Sequence, residues 1–219
     1  MCSKCTIKHH YHLHEEKADS SQAPEDKTTT AAGVVASTTF TERGRSTLAV
    51  LRVCVQAEEG EVECWALLDT GSNTSFIKRS VAEALGLTGQ DEGFSLTTLA
   101  GVSHYNETRV DVVLVSEDGV NSVDLRGALT IPSIQVRAQR DRTSYKKFKH
   151  LADLEFPAVD TEVDVVIGTD CPEMFWSHGE RRGGRNEPIA RNTELGWILL
   201  GPRELLRRLL SRHYLLHPR

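Results

Sequence analysis

Short apolar runs rich in β-branched residues recur along the chain, and turns rich in glycine or charge separate them. This pattern predicts β-strands. The first run covers residues 48–55, and a glutamate-rich turn at 58–61 leads into a second run at 62–68, which ends directly before Asp69. The two runs predict a β-hairpin whose second strand delivers an aspartate at its end.

The middle of the chain predicts a second hairpin, because residues 94–99 and 106–115 lie on either side of Ala100 and Gly101. Beyond these two hairpins, strands are predicted at 120–129, 133–138 and 197–200, and short helices at 80–87 and 172–176. The charged segment 139–149 predicts a solvated helix or loop, and the segment 179–184 predicts an exposed basic turn. An amphipathic helix is predicted at 202–210. The expected fold class is mostly β, with one or two short helices.

The N-terminal part of the chain differs in kind from the rest. Its first 17 residues hold Cys2, Cys5, His10 and His14 with few apolar residues, and thiolate and imidazole are the ligands that zinc prefers. The spacing is close to that of a zinc knuckle, although Glu15 occupies the usual position of the last ligand. The segment is therefore either a structural zinc site or a His-rich terminus that binds metals loosely.

Four segments follow from these patterns. Residues 1–17 are the zinc-knuckle-like segment, and residues 18–44, rich in Ser, Thr and Ala without periodicity, predict a disordered linker. Residues 45–202 predict the folded domain, and residues 203–219 predict a C-terminal helix or linker. The candidate chemistry lies in the folded domain.

The tetrapeptide Asp69-Thr70-Gly71-Ser72 follows the second apolar run. A buried strand that ends at an aspartate can hold the carboxylate rigidly, and a glycine lets the backbone approach it closely. We expect the Thr70 hydroxyl to bond neighbouring backbone and the Ser72 hydroxyl to donate to the Asp69 carboxylate. The tripeptide alone is a weak signal, since it also occurs in ordinary polar turns after strands.

A second motif strengthens this interpretation. The segment 163–170 places apolar residues directly before Gly168, as in a strand that crosses beneath an active site. The Asp-Thr-Gly loop occurs once, whereas aspartic proteases built from a single long chain carry two such loops. One loop in a chain of 219 residues indicates an enzyme in which two chains each supply one aspartate.

The segments 66–77, 163–172 and 192–202 resemble the protease region of Pao/BEL-type retrotransposon polyproteins, and the resemblance covers residues 45–202. The resemblance implies a retropepsin-like half-barrel, peptide-bond hydrolysis of the element's own polyprotein without a catalytic cofactor, and a homodimer with the strand 197–200 at or near its interface. It implies that Asp69, Thr70, Gly71 and Ser72 form the catalytic loop. Substrate is expected to bind at the tip of the hairpin formed by residues 94–115 and at the strand before Gly168, called the floor strand below. The residues expected to bind it are Leu99, Ala100, Gly101, Ile167 and Gly168. The hairpin could also be a plain surface feature.

Composition narrows the setting. The chain has 39% hydrophobic and 26% charged residues, and no apolar run approaches the length of a membrane span. The first residues lack the apolar centre of a signal peptide. Cys54, Cys64 and Cys171 fall in or beside predicted strands and predict buried thiols rather than disulfides, as in an intracellular, cytoplasmic protein. A net charge of −5 limits any nucleic-acid binding to weak RNA contacts by the N-terminal segment.

Two other functions remain open at this point. The chain could be a retropepsin-fold relic that no longer cleaves peptides and serves as a binding module. It could instead be a Gag-derived fragment whose role is zinc and nucleic-acid binding by residues 1–17. The intact loop at Asp69 and the intact Gly168 strand favour the peptidase.

Overall fold

The computed structural model describes residues 29–31, 46–58, 60–98 and 100–203. The strands in these ranges are β1 (Thr29–Ala31), β2 (Ser46–Thr47), β3 (Val50–Ala57), β4 (Gly60–Leu68), β5 (Phe76–Lys78), β6 (Gln90–Thr98), β7 (Gly101–Ser116), β8 (Ser122–Ile131), β9 (Arg137–Arg140), β10 (Val159–Glu162), β11 (Val165–Ile167), β12 (Gly179–Arg181), β13 (Ile189–Thr193) and β14 (Gly196–Pro202). One α-helix, α1 (Arg79–Ala84), and two 3₁₀ turns, Lys149–Leu151 and Pro172–Phe175, complete the described elements. The mostly β fold class expected from the sequence is confirmed, and none of the described helices is long and apolar enough to cross a membrane.

The main sheet closes on itself. Its strands follow the order β1-β6-β7-β3-β4-β11-β5-β8. Because β7 also pairs with β8, the six strands β7-β3-β4-β11-β5-β8 form a closed barrel. Strand β11 lies between β4 and β5, parallel to β4 and antiparallel to β5. The late strand β11 is thereby placed beside the end of β4, where Asp69 follows.

Apolar side chains cover both faces of the central strands. Alternate residues of β3 and β4, such as Val53 and Cys64, enter the main core, while Val50 and Leu67 enter a second cluster on the opposite face. In β11, all three residues are buried. Strands buried on both faces read as continuous apolar runs, which is why these segments were recognisable in the sequence.

The segment 139–149 differs from expectation. It was predicted to be a solvated helix or loop, but its aromatic residues Tyr145 and Phe148 are buried in a third cluster with Leu151 and Phe156. The basic residues between them lie at exposed or partly exposed positions, so the segment is amphipathic without a regular period. High charge therefore concealed its buried residues.

A four-stranded sheet in the order β12-β13-β14-β2 follows the barrel. The expected exposed basic turn at 179–184 is wrong in its first part, because β12 pairs with β13, and Glu180 accepts hydrogen bonds from Arg182 and Arg191. Strand β13 was not predicted, and the strand expected at 133–138 begins only at Arg137. The predicted strand 197–200 lies inside β14.

The interior of β14 is already buried in one chain. Ile198 packs in the main core and Leu199 in the third cluster, and each is 2% exposed. Their apolar character therefore has an explanation within a single chain. The zinc-knuckle-like segment, most of the expected linker and the expected helix from residue 204 onward lie outside the described residues; residues 29–31, inside the expected linker, pair with β6.

Candidate active site

The loop after β4 holds Asp69 in a fixed orientation. The Asp69 backbone N–H donates to the Ile167 carbonyl at 3.0 Å, which ties the loop to β11. The Gly71 N–H donates to Asp69 Oδ1 at 2.9 Å, and the Ser72 N–H donates to the Asp69 carbonyl at 3.1 Å. The aspartate expected from the sequence is therefore delivered by the end of a strand and held by the turn that follows it.

The second carboxylate oxygen of Asp69 is unusual. Asp69 as a residue is partly exposed, but its Oδ2 atom is buried and has no hydrogen-bond partner within the described residues. Nearly all buried polar atoms in proteins have a partner, so an exception calls for a functional explanation. One carboxylate oxygen is thus fixed by a backbone amide, and the other is left without a donor.

Two hydroxyls of the loop do not act as expected. The Ser72 hydroxyl donates to the Thr74 carbonyl at 2.6 Å rather than to the Asp69 carboxylate, so the expected orienting bond is wrong. Ser72 is buried, and its carbonyl accepts from the Thr169 N–H at 2.9 Å. Thr70 is exposed, and its hydroxyl makes no hydrogen bond within the described part of the chain. Ser72 therefore stabilises the loop itself.

Behind the loop, Gly168 and its neighbours form a tight junction. The Gly168 N–H donates to the Ser75 hydroxyl at 3.0 Å. Ser75 in turn donates twice to the Asp170 carboxylate, from its backbone at 2.8 Å and from its hydroxyl at 2.7 Å. The sequence by itself indicates no role for Ser75 or Asp170, although both lie inside the segments 66–77 and 163–172 that carry the resemblance.

Asp164 forms a second junction that the sequence did not reveal. One of its oxygens accepts from the Trp65 N–H at 3.0 Å, and the other accepts from Lys78 Nζ at 3.1 Å. The residue thus connects β4, β5 and β11, the strands around the aspartate loop. A charged residue within an apolar run was the available signal.

The predicted substrate-binding residues divide into two groups. Ala100 borders a cavity of about 250 Å³ between the tip of the β6–β7 hairpin and the floor strand β11. Gly101 is exposed at this tip with φ +126, and Leu99 lies outside the described residues. Neither Ile167, which packs in the main core, nor Gly168 lines the cavity. The floor is instead formed by Val166, one position earlier.

The family comparison agrees with this geometry. The family described as Aspartyl protease matches residues 53–170, which is more than half of the chain. The chain belongs to the aspartyl protease family. No curated protein and no solved structure matches it.

In this aspartyl protease, charged pairs fix the base of the hairpin. The Glu107 carboxylate is 7% exposed and pairs with Arg79 at the start of α1, and it also accepts from the Thr130 hydroxyl at 3.0 Å. Arg109 pairs with Glu92 across the hairpin and donates to the Gly127 carbonyl at 2.6 Å. The base is therefore anchored to the barrel, while the tip is exposed.

Metal binding has no candidate in the described part of the protease. No group of three or more His, Cys, Asp and Glu side chains in those ranges is placed to hold a metal ion. The zinc ligands predicted from the sequence, Cys2, Cys5, His10 and His14, lie outside the described residues and stay a prediction.

Proposed function

We propose that this aspartyl protease is an endopeptidase in which two copies of the chain face each other and two Asp69 carboxylates activate one water. The observation that carries the proposal is the state of Asp69: Oδ1 is held by the Gly71 amide, and Oδ2 is buried and has no partner among the residues that the structure describes. The sequence contains one Asp-Thr-Gly loop, so a second carboxylate has to come from a second chain. A two-fold symmetry axis next to the loop would bring the second carboxylate beside the first, and both copies would then use the same surface for the contact.

The reaction follows from two carboxyl groups at close range. Aspartic proteases are the standard example of two carboxylates that share one proton, because like charges a few ångströms apart cannot both ionise. The ionised group accepts a proton from water, whose oxygen attacks the peptide carbonyl carbon. The protonated group donates to the carbonyl oxygen. As the tetrahedral intermediate collapses and the C–N bond breaks, the first carboxyl group gives the proton that it took from water to the leaving nitrogen, and the second takes back a proton from the intermediate's hydroxyl.

The cavity beside the floor strand supports a polypeptide substrate. Its walls include Phe76, Ile131, Ile134 and Val166, which are apolar, and its rim at the hairpin tip includes Thr98 and Ser103. Polar groups of Tyr105, Ser133 and Gln135 also line it, and none of residues 69–72 does. Ligand sites commonly combine apolar walls with polar groups that fix orientation. We infer that this cavity accepts an apolar side chain of the substrate.

We further infer that the substrate is the polyprotein of a Pao/BEL-type retroelement. The resemblance of the loop at Asp69, the Gly168 strand and the segment 192–202 to that group supports this inference. Cys54, Cys64 and Cys171 are free thiols, which agrees with action inside a cell.

The test is cleavage of a polypeptide by the full-length chain. We expect cleavage of the flanking polyprotein of the element of origin, and of peptides that carry apolar residues, with inhibition by a statine-type compound. A folded chain that cleaves none of these substrates and does not bind the inhibitor would show that the fold persists as an inactive binding module.

A further inference from the structure

A second and larger cleft lies apart from the candidate active site. It has a volume of about 780 Å³ and is formed by three parts of the chain: the barrel around β3 and the β7–β8 turn, the segment that ends at Phe156 and Pro157, and the β13–β14 hairpin. None of the residues at the Asp69 loop or at the tip of the β6–β7 hairpin lines it. Its volume is within the usual range for ligand sites.

Arg140 lies in the wall of this cleft. It is 3% exposed, and its guanidinium lies 5.9 Å from the ring centre of Trp65 and 5.2 Å from that of Phe156. Its Nε donates to the Pro157 carbonyl at 3.1 Å, and its Nη1 donates to the Val50 carbonyl at 3.2 Å. Rings and carbonyls hold the cation in place, but neither neutralises its charge.

Four carboxylates line the cleft, and each already has a partner; among them, Asp118 accepts from the Ser116 hydroxyl at 2.6 Å. Glu117 pairs with Arg52, and Glu155 pairs with Lys146. Glu194 lies 2.8 Å from His178. In the described ranges, no carboxylate lies within ion-pair distance of Arg140. A charge that is buried without a counter-charge is costly, and proteins normally pair it.

Burial lowers the pKa of Arg140 to about 10, with the nearby Arg203 acting in the same direction. The group nevertheless keeps its proton at neutral pH. The cleft therefore holds one positive charge that has no counter-charge among the described residues, beside the rings of Trp197 and Phe156, while its four carboxylates are engaged in other contacts. Guanidinium groups bind carboxylates through directed, charge-assisted hydrogen bonds.

We propose that this cleft binds a peptide segment through a carboxylate that pairs with Arg140. The carboxylate belongs either to an acidic side chain or to a C-terminus, and the aromatic walls contact the neighbouring residues of the peptide. This site is separate from the site of peptide hydrolysis and does not depend on the proposed function.

Binding is measured on the full-length chain that carries Asp69→Asn, so that no probe is hydrolysed. Three probes are titrated: Ac-Ala-Phe-Asp-NH2 with a side-chain carboxylate, Ac-Ala-Phe-Ala-OH with a terminal carboxylate, and Ac-Ala-Phe-Asn-NH2 with neither. The chain has three tryptophans, whose indole ¹⁵N–¹H signals are assigned by single substitutions and report the position of binding. We expect one of the two acids to shift the signals of Trp197 and Trp65, to leave Trp176 unchanged, and to bind at least tenfold more tightly than the amide.

Two variants test the role of the charge. Arg140→Met keeps much of the side-chain volume and should abolish the preference for the acid, whereas the matched control Arg137→Met, at an exposed position of the same strand, should keep it. If Arg140→Met does not fold, Asn121→Glu adds a negative charge at an exposed position of the cleft and should weaken binding of the acid several-fold. Equal affinities for acid and amide, or shifts that do not include Trp197, would overturn the proposal.

Discussion

Gly168 lies directly against the backbone of Thr74. A Cβ atom at Gly168 would lie 2.7 Å from the Thr74 carbonyl oxygen and 2.9 Å from its nitrogen, closer than real side chains approach. Thr74 belongs to the loop that follows Asp69, and its carbonyl also accepts the Ser72 hydroxyl. The glycine of the second motif thus allows β11 to contact the aspartate loop.

We therefore predict that Gly168→Ala displaces the loop. Backbone atoms cannot rotate away as a flexible side chain does, so the added methyl group should cost about 1–3 kcal/mol of stability, as overpacking does. It should also reduce kcat much more than binding of an active-site inhibitor. Urea denaturation and steady-state kinetics measure the two effects. The control is Gly60→Ala, because none of the described residues comes within 4 Å of a Cβ at Gly60. Equal effects of the two substitutions would contradict the assignment.

Asp69→Asn should remove peptidase activity and leave the fold intact. Asparagine keeps an oxygen that can accept the Gly71 amide, but it cannot accept a proton from water as a base does. Loss of a general base lowers rates by about 10²–10⁴, so we expect at least a hundredfold loss of kcat.

Circular dichroism and thermal denaturation check the fold of this variant. Asp91→Asn, at an exposed position of the β6–β7 hairpin, serves as the control. An Asp69→Asn variant that still cleaves peptides, with unchanged sensitivity to a statine-type inhibitor, would show that another group performs the chemistry.

The sequence predicted the strands that are buried on both faces. Residues 64–68 and 165–167 are apolar without interruption, because β4 and β11 lie in the middle of the sheet. The sequence did not predict β12 or β13, because polar residues such as Glu180 and Arg191, which pair across these two strands, are also typical of surface turns. Such pairing becomes visible only once the strands are brought together.

The site was predicted in part for a similar reason. Asp69 follows a recognisable strand, so local sequence was sufficient to find it. Ser75 and Asp170 are 95 residues apart, and only the pairing of β5 with β11 brings them into hydrogen-bond contact. A strand pattern alone does not reveal which face of β11 borders the cavity, so it does not distinguish Ile167 from Val166, the residue that lines it.

The carboxyl group of Asp141 should make the free energy of unfolding depend on pH. Partial burial would raise the pKa of its carboxyl, but hydrogen bonds from Thr143 and Ser144 outweigh burial and lower the pKa to about 2. A pKa lowered by folding adds stability above the pKa of the unfolded chain, roughly 3.9. That stability is lost as the pH falls from about 4 towards 2.

After allowance for solvent screening, the charge of Asp141 should contribute about 1 kcal/mol at pH 7. Asp141→Asn keeps an oxygen acceptor without the charge, so its free energy of unfolding should fall below that of the parent chain at pH 7. The difference should shrink between pH 4 and pH 2. Urea denaturation at each pH measures it; a difference that is the same at pH 2 and pH 7 would rule out the carboxylate as its origin.

Peptidase activity should fall on dilution. Each chain has one Asp-Thr-Gly loop, and two carboxylates have to reach one water, so only an assembled pair of chains can be active. Because the interior of β14 is buried within a single chain, we expect the separated chains to stay folded and to regain activity when they are concentrated. Sedimentation velocity and specific activity are measured over the same concentration series, and both should follow one dissociation constant.

Mixing the parent chain with an excess of the Asp69→Asn chain provides an independent check. Mixed pairs carry one Asp69 carboxylate and should be inactive, so the activity should fall. Constant specific activity from a species that sediments as a monomer would show that a single chain is the enzyme.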